Sequence, residues 1–119
     1  MKGRRFITIG ISRETHGAWE CRSPITPSDM QKLKRHRFIV QPSAKRIFTD
    51  RQYQQVGATI NNSLTECDLI IGVKQIKDIY PNKAHLFFSH THKGQIQNLA
   101  LLKEVLDQVF WSLIIRGQL

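Results

Sequence analysis

The 119 residues suit one domain with one modest core, since domains cluster at roughly 100–150 residues, and 40% hydrophobic with 23% charged residues and no low-complexity tract exclude a disordered chain. Eighteen Lys and Arg against nine Asp and Glu give a net charge of +9, an excess that admits nucleic acid, an acidic membrane surface or an anionic substrate as partner. The longest near-apolar run, Val109 to Ile115, is broken by Ser112 and falls far short of the roughly 20 residues of a membrane helix, so no membrane span is expected.

Taken in chain order, Met-Lys-Gly-Arg-Arg passes into Phe6–Ile11, too short for a signal-peptide core and without a small-residue cleavage site, which predicts a first strand over about 5–11. After a polar loop, Thr26-Pro27-Ser28-Asp29 sets Pro and an acid as at a helix start, leading into Met30 and Leu33. The basic run Lys32-Leu33-Lys34-Arg35-His36-Arg37 falls at that helix end, where cations complement the dipole. It lacks the interleaved aromatics of a single-strand binder, and the chain carries no known nucleic-acid motif, so nucleic acid ranks low as a partner. Phe38-Ile39-Val40-Gln41 predicts the second strand, closed by Pro42-Ser43; Thr49-Asp50 caps a short helix through Val56, with Gly57 as its stop. Ala58–Ile60 is expected to be a short strand and Ser63–Cys67 a single helical turn. Asp68–Val73 is apolar and β-prone and delivers Lys74. Residues 75–83 form a loop or short helix ended by Pro81-Asn82, and His85–Ser89 is a further strand that ends abruptly in His90, His92 and Lys93. Ile96, Leu99, Leu102, Leu106 and Val109 recur every three or four residues, which predicts an amphipathic helix from about 95 to 109.

Strands alternating with helical segments predict an α/β fold, a three-layer sandwich with a mostly parallel sheet, Rossmann-like or flavodoxin-like and incomplete. In such sheets ligands bind outside the carboxyl ends of the strands. Ser12 and Arg13, Gln41, Lys74, and His90 with His92 and Lys93 all follow strands, so they are expected along one edge.

Each candidate has two readings. Lys74 at a strand end is an acid or base once desolvation or a nearby cation lowers its pKa, or a snorkelling surface lysine. His90 titrates near neutrality and suits proton exchange with an amine or carbonyl oxygen, or it is a structural histidine bonded to backbone. Arg22 suits bidentate capture of a carboxylate, or it pairs with Glu20 or Glu14. Lys45 is read as solvent-facing, while Arg46 either holds a second carboxylate or faces solvent. His-x-His without a nearby carboxylate or thiolate is a poor zinc site, so no metal is expected. Cys21 and Cys67 have neither disulfide density nor metal spacing and are read as inert thiols in a reducing compartment, cytoplasmic or alternatively mitochondrial. No Gly-x-Gly-x-x-Gly follows a strand, so a dinucleotide fingerprint is missing.

Four segments occur in a recognisable order: Trp19-Glu20-Cys21-Arg22-Ser23-Pro24-Ile25-Thr26-Pro27, Val40-Gln41-Pro42-Ser43-Ala44-Lys45-Arg46, Ile70-Ile71-Gly72-Val73-Lys74-Gln75 and Phe87-Phe88-Ser89-His90-Thr91-His92-Lys93. Over about residues 5–108 the chain resembles the N-terminal substrate domain of lysine-ketoglutarate reductase, the saccharopine-forming half of aminoadipic semialdehyde synthase. More loosely it resembles lysine-forming saccharopine dehydrogenases and the N-terminal domains of alanine dehydrogenase and nicotinamide nucleotide transhydrogenase. In that family of oxidoreductases of lysine degradation, L-lysine and 2-oxoglutarate condense to an imine that NADPH reduces to saccharopine. The resemblance implies that Lys74 and His90 are the acid–base pair, that Arg22 holds a substrate carboxylate, and that Lys93 and Arg46 add positive charge to substrate binding. Cys21 stands where the family usually has the first of two arginines, which puts one cationic contact in doubt. The family continues into a cofactor domain, and residues 109–119 read as a divergent tail unlike that continuation. The expectation is therefore a truncated product that binds no NADP(H) alone and has little reductase activity, with a homo-oligomer as a further expectation. The rival is a non-catalytic carboxylate-binding or protein-interaction module derived from the same family.

Overall fold

A computed structural model describes residues 6–15, 21–74, 76, 79–88 and 95–117, with side chains from residue 99 onward in the last segment. Five short strands form one sheet: β1 (Thr8–Ile11), β2 (Arg37–Val40), β3 (Thr59–Ile60), β4 (Leu69–Gly72) and β5 (Ala84–Phe87). Their order is β3-β2-β1-β4-β5 and every pairing is parallel. That is the 3-2-1-4-5 order of a Rossmann sheet without its sixth strand, rather than the 2-1-3-4-5 order of flavodoxin-like sheets, which decides between the two expectations.

The helices form where the sequence places their caps. α1 (Pro27–Gln31) starts behind Thr26, whose hydroxyl accepts the Asp29 N–H, with Pro27 in the first turn. α2 (Asp50–Gln55) has a complete capping box: Thr49 Oγ1 accepts from Gln52 N–H while the Gln52 side chain accepts from Thr49 N–H. Gly57, at φ +100°, makes the turn after it without the penalty a side chain would bring. α3 (Gln95–Ile115) outruns its expected end at 109 by a turn and a half. The cause is visible in the sequence: Leu102, Leu106, Val109 and Leu113 continue one inward stripe, all buried, while Trp111, Ile114 and Ile115 put apolar residues on the outer face and blur the period. Ser63–Cys67 is a turn rather than the expected helical turn, closed by Cys67 N–H donating to Leu64 O at 3.0 Å.

Both faces of the sheet are covered. Ile7, Ile9, Ile11, Phe38, Val40, Leu69 and Ile71 face Met30 and Leu33 around α1, Tyr53 of α2 and the inward stripe of α3. Ile39 and Ile70 face Leu64, Cys67 and Ile76, which lie in irregular connections. The fold is thus α/β, an incomplete sandwich with helices on one face and, among the described residues, irregular chain on the other. The β1–β2 and β2–β3 connections lie on the helical face, and those for β3–β4 and β4–β5 on the other. The winding therefore reverses between β1 and β4, and such a switch point is where a crevice opens at the carboxyl edge.

Candidate functional site at the β1–β4 switch point

Just past β1, Ser12 N–H donates to Ile71 O at 3.0 Å and its hydroxyl reaches the same carbonyl at 3.3 Å, carrying the β1–β4 pairing one residue further. Glu14 then folds back into the switch point, where it is 7% exposed. Its Oε2 accepts the Val73 N–H at 3.0 Å and its Oε1 the Lys74 N–H at 2.8 Å. A carboxylate accepting two backbone N–H groups is a charge-assisted, geometrically specific clamp. The clamp requires glycine at residue 72, because a Cβ there would lie 2.7 Å from Ser12 Oγ and 3.3 Å from Glu14 Oε2. Lys74 thus leaves the sheet edge half-buried on a fixed backbone.

Gln41, ending β2, is the second organiser of this edge. Its Oε1 accepts the Arg13 N–H at 2.8 Å, and its Nε2 donates to Asn62 O at 2.8 Å and towards the Tyr80 hydroxyl at 3.4 Å. The Arg13 guanidinium donates to Asn62 Oδ1 at 2.8 Å and Pro42 O at 3.2 Å. The ends of β1, β2 and β3 are thereby cross-linked by side chains.

Arg22 is exposed on a segment held firmly at its other residues. Ser23, Pro24 and Ile25 are buried; the Tyr53 hydroxyl donates to Ile25 O at 2.6 Å and its oxygen lies 2.5 Å from Ser23 Oγ. Ile47 N–H donates to Cys21 O at 2.7 Å, tying this segment to the loop carrying Arg46. Arg46 itself points inward, its side chain 4% exposed. Its Nη2 donates to Gln41 O at 2.9 Å, its Nη1 lies 3.4 Å from Asp50 Oδ1, and its guanidinium carbon sits 5.7 Å from the centre of the Tyr53 ring. Burial pulls its pKa down, and Tyr53, Asp50 and Glu14 act against that pull. The contacts shown for Arg46 are with the fold's own groups, binding the end of β2 to the start of α2. Lys45, read as solvent-facing, is partly exposed.

His90, His92 and Lys93 lie outside the described residues. The chain that leads to them is set by Phe88, whose N–H donates to Gly72 O at 3.1 Å, so β5 exits beside Val73 and Lys74. The structure therefore brings Ser12, Arg13, Gln41 and Lys74 to one edge, as the strand positions predicted. In the sequence, Glu14 stands out only as a pairing option for Arg22. The signal for its clamp was slight, an acid three residues past a buried strand.

Among the described residues, this edge offers no fit for a dinucleotide. A pyrophosphate needs a glycine-rich turn opening directly into a helix, whereas α1 begins sixteen residues after β1 ends, and the Glu14 carboxylate fills the switch point with like charge.

Residues 10–111 match the model of the alanine dehydrogenase/PNT N-terminal domain. The chain is 44% identical over 110 residues to an alpha-aminoadipic semialdehyde synthase of Arabidopsis thaliana, an alignment spanning 84% of this chain and 10% of that protein. It is 36% identical over 104 residues to the mitochondrial alpha-aminoadipic semialdehyde synthase of Rattus norvegicus, covering 84% of this chain and 11% of the relative. A saccharopine dehydrogenase [NAD(+), L-lysine-forming] of Yarrowia lipolytica is 35% identical over 85 residues, 64% of this chain and 23% of that enzyme. The chain thus spans about a tenth of the length of the semialdehyde synthases it matches. Among solved structures, the transhydrogenase from Sinorhizobium meliloti aligns with a TM-score of 0.50 at 21% identity over 55% of this chain and 21% of its own, a likeness of fold alone. With most of its length matched by one domain model, the chain belongs to the alanine dehydrogenase/PNT N-terminal domain family.

Proposed function

We propose that this chain is the substrate domain of a saccharopine-forming lysine-ketoglutarate reductase, binding L-lysine and 2-oxoglutarate and moving the protons of their condensation. The observation that carries this reading is the Glu14 clamp, which holds Lys74 at the β1–β4 switch point, where α/β sheets bind ligands. Identity to the aminoadipic semialdehyde synthases supports the choice of substrates.

Attack of an amine on a ketone produces a carbinolamine, which must lose water. A base takes the proton from the attacking nitrogen and an acid delivers one to the departing hydroxyl. Lys74 and His90 take these roles in the proposal, and Arg22 meets a substrate carboxylate in the paired geometry a guanidinium favours. Arg46 contributes indirectly by holding Gln41 and α2 together. NADPH supplies the hydride for the reductive step.

Calorimetry with 2-oxoglutarate tests the reading. The folded chain should bind it saturably, and Arg22→Ala should weaken binding about tenfold or more, the loss of a charge-assisted contact. NADPH oxidation with both substrates should be absent in the isolated chain. Oxidation abolished by Lys74→Met and His90→Gln would overturn the division of labour, and a folded chain with no affinity for 2-oxoglutarate would overturn the substrate assignment.

A further inference from the structure

The opposite edge of the sheet, where the strands begin, carries a second polar cluster remote from Lys74. A cavity of about 320 Å³ lies between the turn after α1 and the middle of α3. Leu33, Leu106 and Phe110 line it with apolar surface, and Lys32, Arg35 and Lys103 with positive charge; Asp107 is its single acid. Its size falls at the lower end of small-molecule sites.

The remaining lining residue, His36, holds a contradiction that points to a ligand. The residue is 9% exposed, and its Nδ1 accepts the buried Ile7 N–H at 3.2 Å. A neutral imidazole has one accepting and one donating nitrogen, so with Nδ1 accepting, Nε2 carries the hydrogen. Yet Arg35 Nε–H is aimed at that same Nε2 from 3.4 Å. Two N–H donors therefore face each other with no acceptor between them. Moving the proton to Nδ1 would set it against the Ile7 N–H, and protonating the ring would lose the Ile7 bond and bring two cations together. An anionic oxygen beside this pair satisfies both donors at once. Among the described residues, Arg35 and Lys103 form no ion pair, whereas Lys32 lies 3.4 Å from Asp29.

We propose that this cavity binds a small oxyanion, a phosphate ester or carboxylate, carrying a compact apolar group. Arg35 and His36 donate to the anionic oxygen, Lys103 balances its charge, and the apolar body rests on Leu33, Leu106 and Phe110. The site is independent of the substrate edge and does not rest on the proposed reaction.

The probes are phenyl phosphate, benzoate and inorganic phosphate, titrated into the 119-residue chain and followed by the nitrogen-15 resonances of the His36 ring and Arg35 Nε. Saturable binding of phenyl phosphate or benzoate is expected, tighter than inorganic phosphate and moving both resonances; the tighter of the two names the anion class. Arg35→Gln should weaken it about tenfold or more, and Lys34→Gln, in the same basic run but outside the cavity, should leave it unchanged. Equal losses in the two variants would reduce the effect to general attraction by a +9 chain and overturn the site. So would absence of saturable binding, or inorganic phosphate binding as tightly as the aryl probes.

Discussion

At residue 36, a basic run interrupted by one histidine conceals a structural hinge between two strands. His36 accepts the Ile7 N–H and so joins the entries of β1 and β2, and burial, followed by the charge of Arg35, lowers its pKa below the ordinary value of 6.5. A histidine whose folded pKa is depressed stabilises the fold fully above the unfolded pKa, and that contribution is lost as pH falls through 6.5 towards and past the folded value. Stability from urea unfolding should therefore drop between pH 8 and pH 5 by at most about 2 kcal/mol, the ceiling for protonating an unfolded histidine over the 1.5 pH units below 6.5. His36→Asn keeps an acceptor near the position of Nδ1 without a titrating group, and its pH slope should be shallower over that window; an unchanged slope would remove His36 as the cause. None of this was legible beforehand, since the sequence shows a histidine among cations but not that its ring turns inward to Ile7, 29 residues away.

Elements were read with uneven success, and the reason is the range of the interactions that define them. Thr26-Pro27 and Thr49 through Gln52 are caps whose donors and acceptors lie within four residues, so both helix starts were visible in the sequence. The end of α3 depends on what lies beneath it. Leu113 is 5% exposed in the main core while Trp111, two residues before it, is 63% exposed. Leu113→Ala should cost about 2–5 kcal/mol in urea unfolding, the range for emptying a core site, and Trp111→Ala should stay within about 0.5 kcal/mol. Similar costs for both would mean that the last turns of α3 do not pack as described. The sheet-edge residues illustrate the same limit. Lys74 was placed at a strand end from the apolar run before it, but the carboxylate that fixes its backbone comes from residue 14, and no local pattern links residues 14 and 74.

Across the whole molecule, two thiols report on whether the fold closes as one unit. Cys21 is exposed; Cys67 is fully buried between β4 and the turn at Leu64, and burial pushes its pKa up to about 12. Only a thiolate attacks an alkylating reagent at useful speed. Under native conditions iodoacetamide should modify Cys21 promptly and leave Cys67 intact, with Cys67 reacting on the timescale of global opening and at once in urea. Mass spectrometry after a timed pulse distinguishes the two, and prompt double labelling would show that the irregular face of the sheet is open. The chain order of strands and helices, the caps and the alignment of polar groups along one edge were written in local patterns and in the rule that parallel strands present their carboxyl ends together. The Rossmann strand order, the inward turn of Arg46, the Glu14 clamp on Lys74 and the opposed donors at His36 and Arg35 were decided only by tertiary structure. Each joins side chains or strands that are adjacent only once the sheet has formed, and periodicity and capping carry no information about which distant segments will meet.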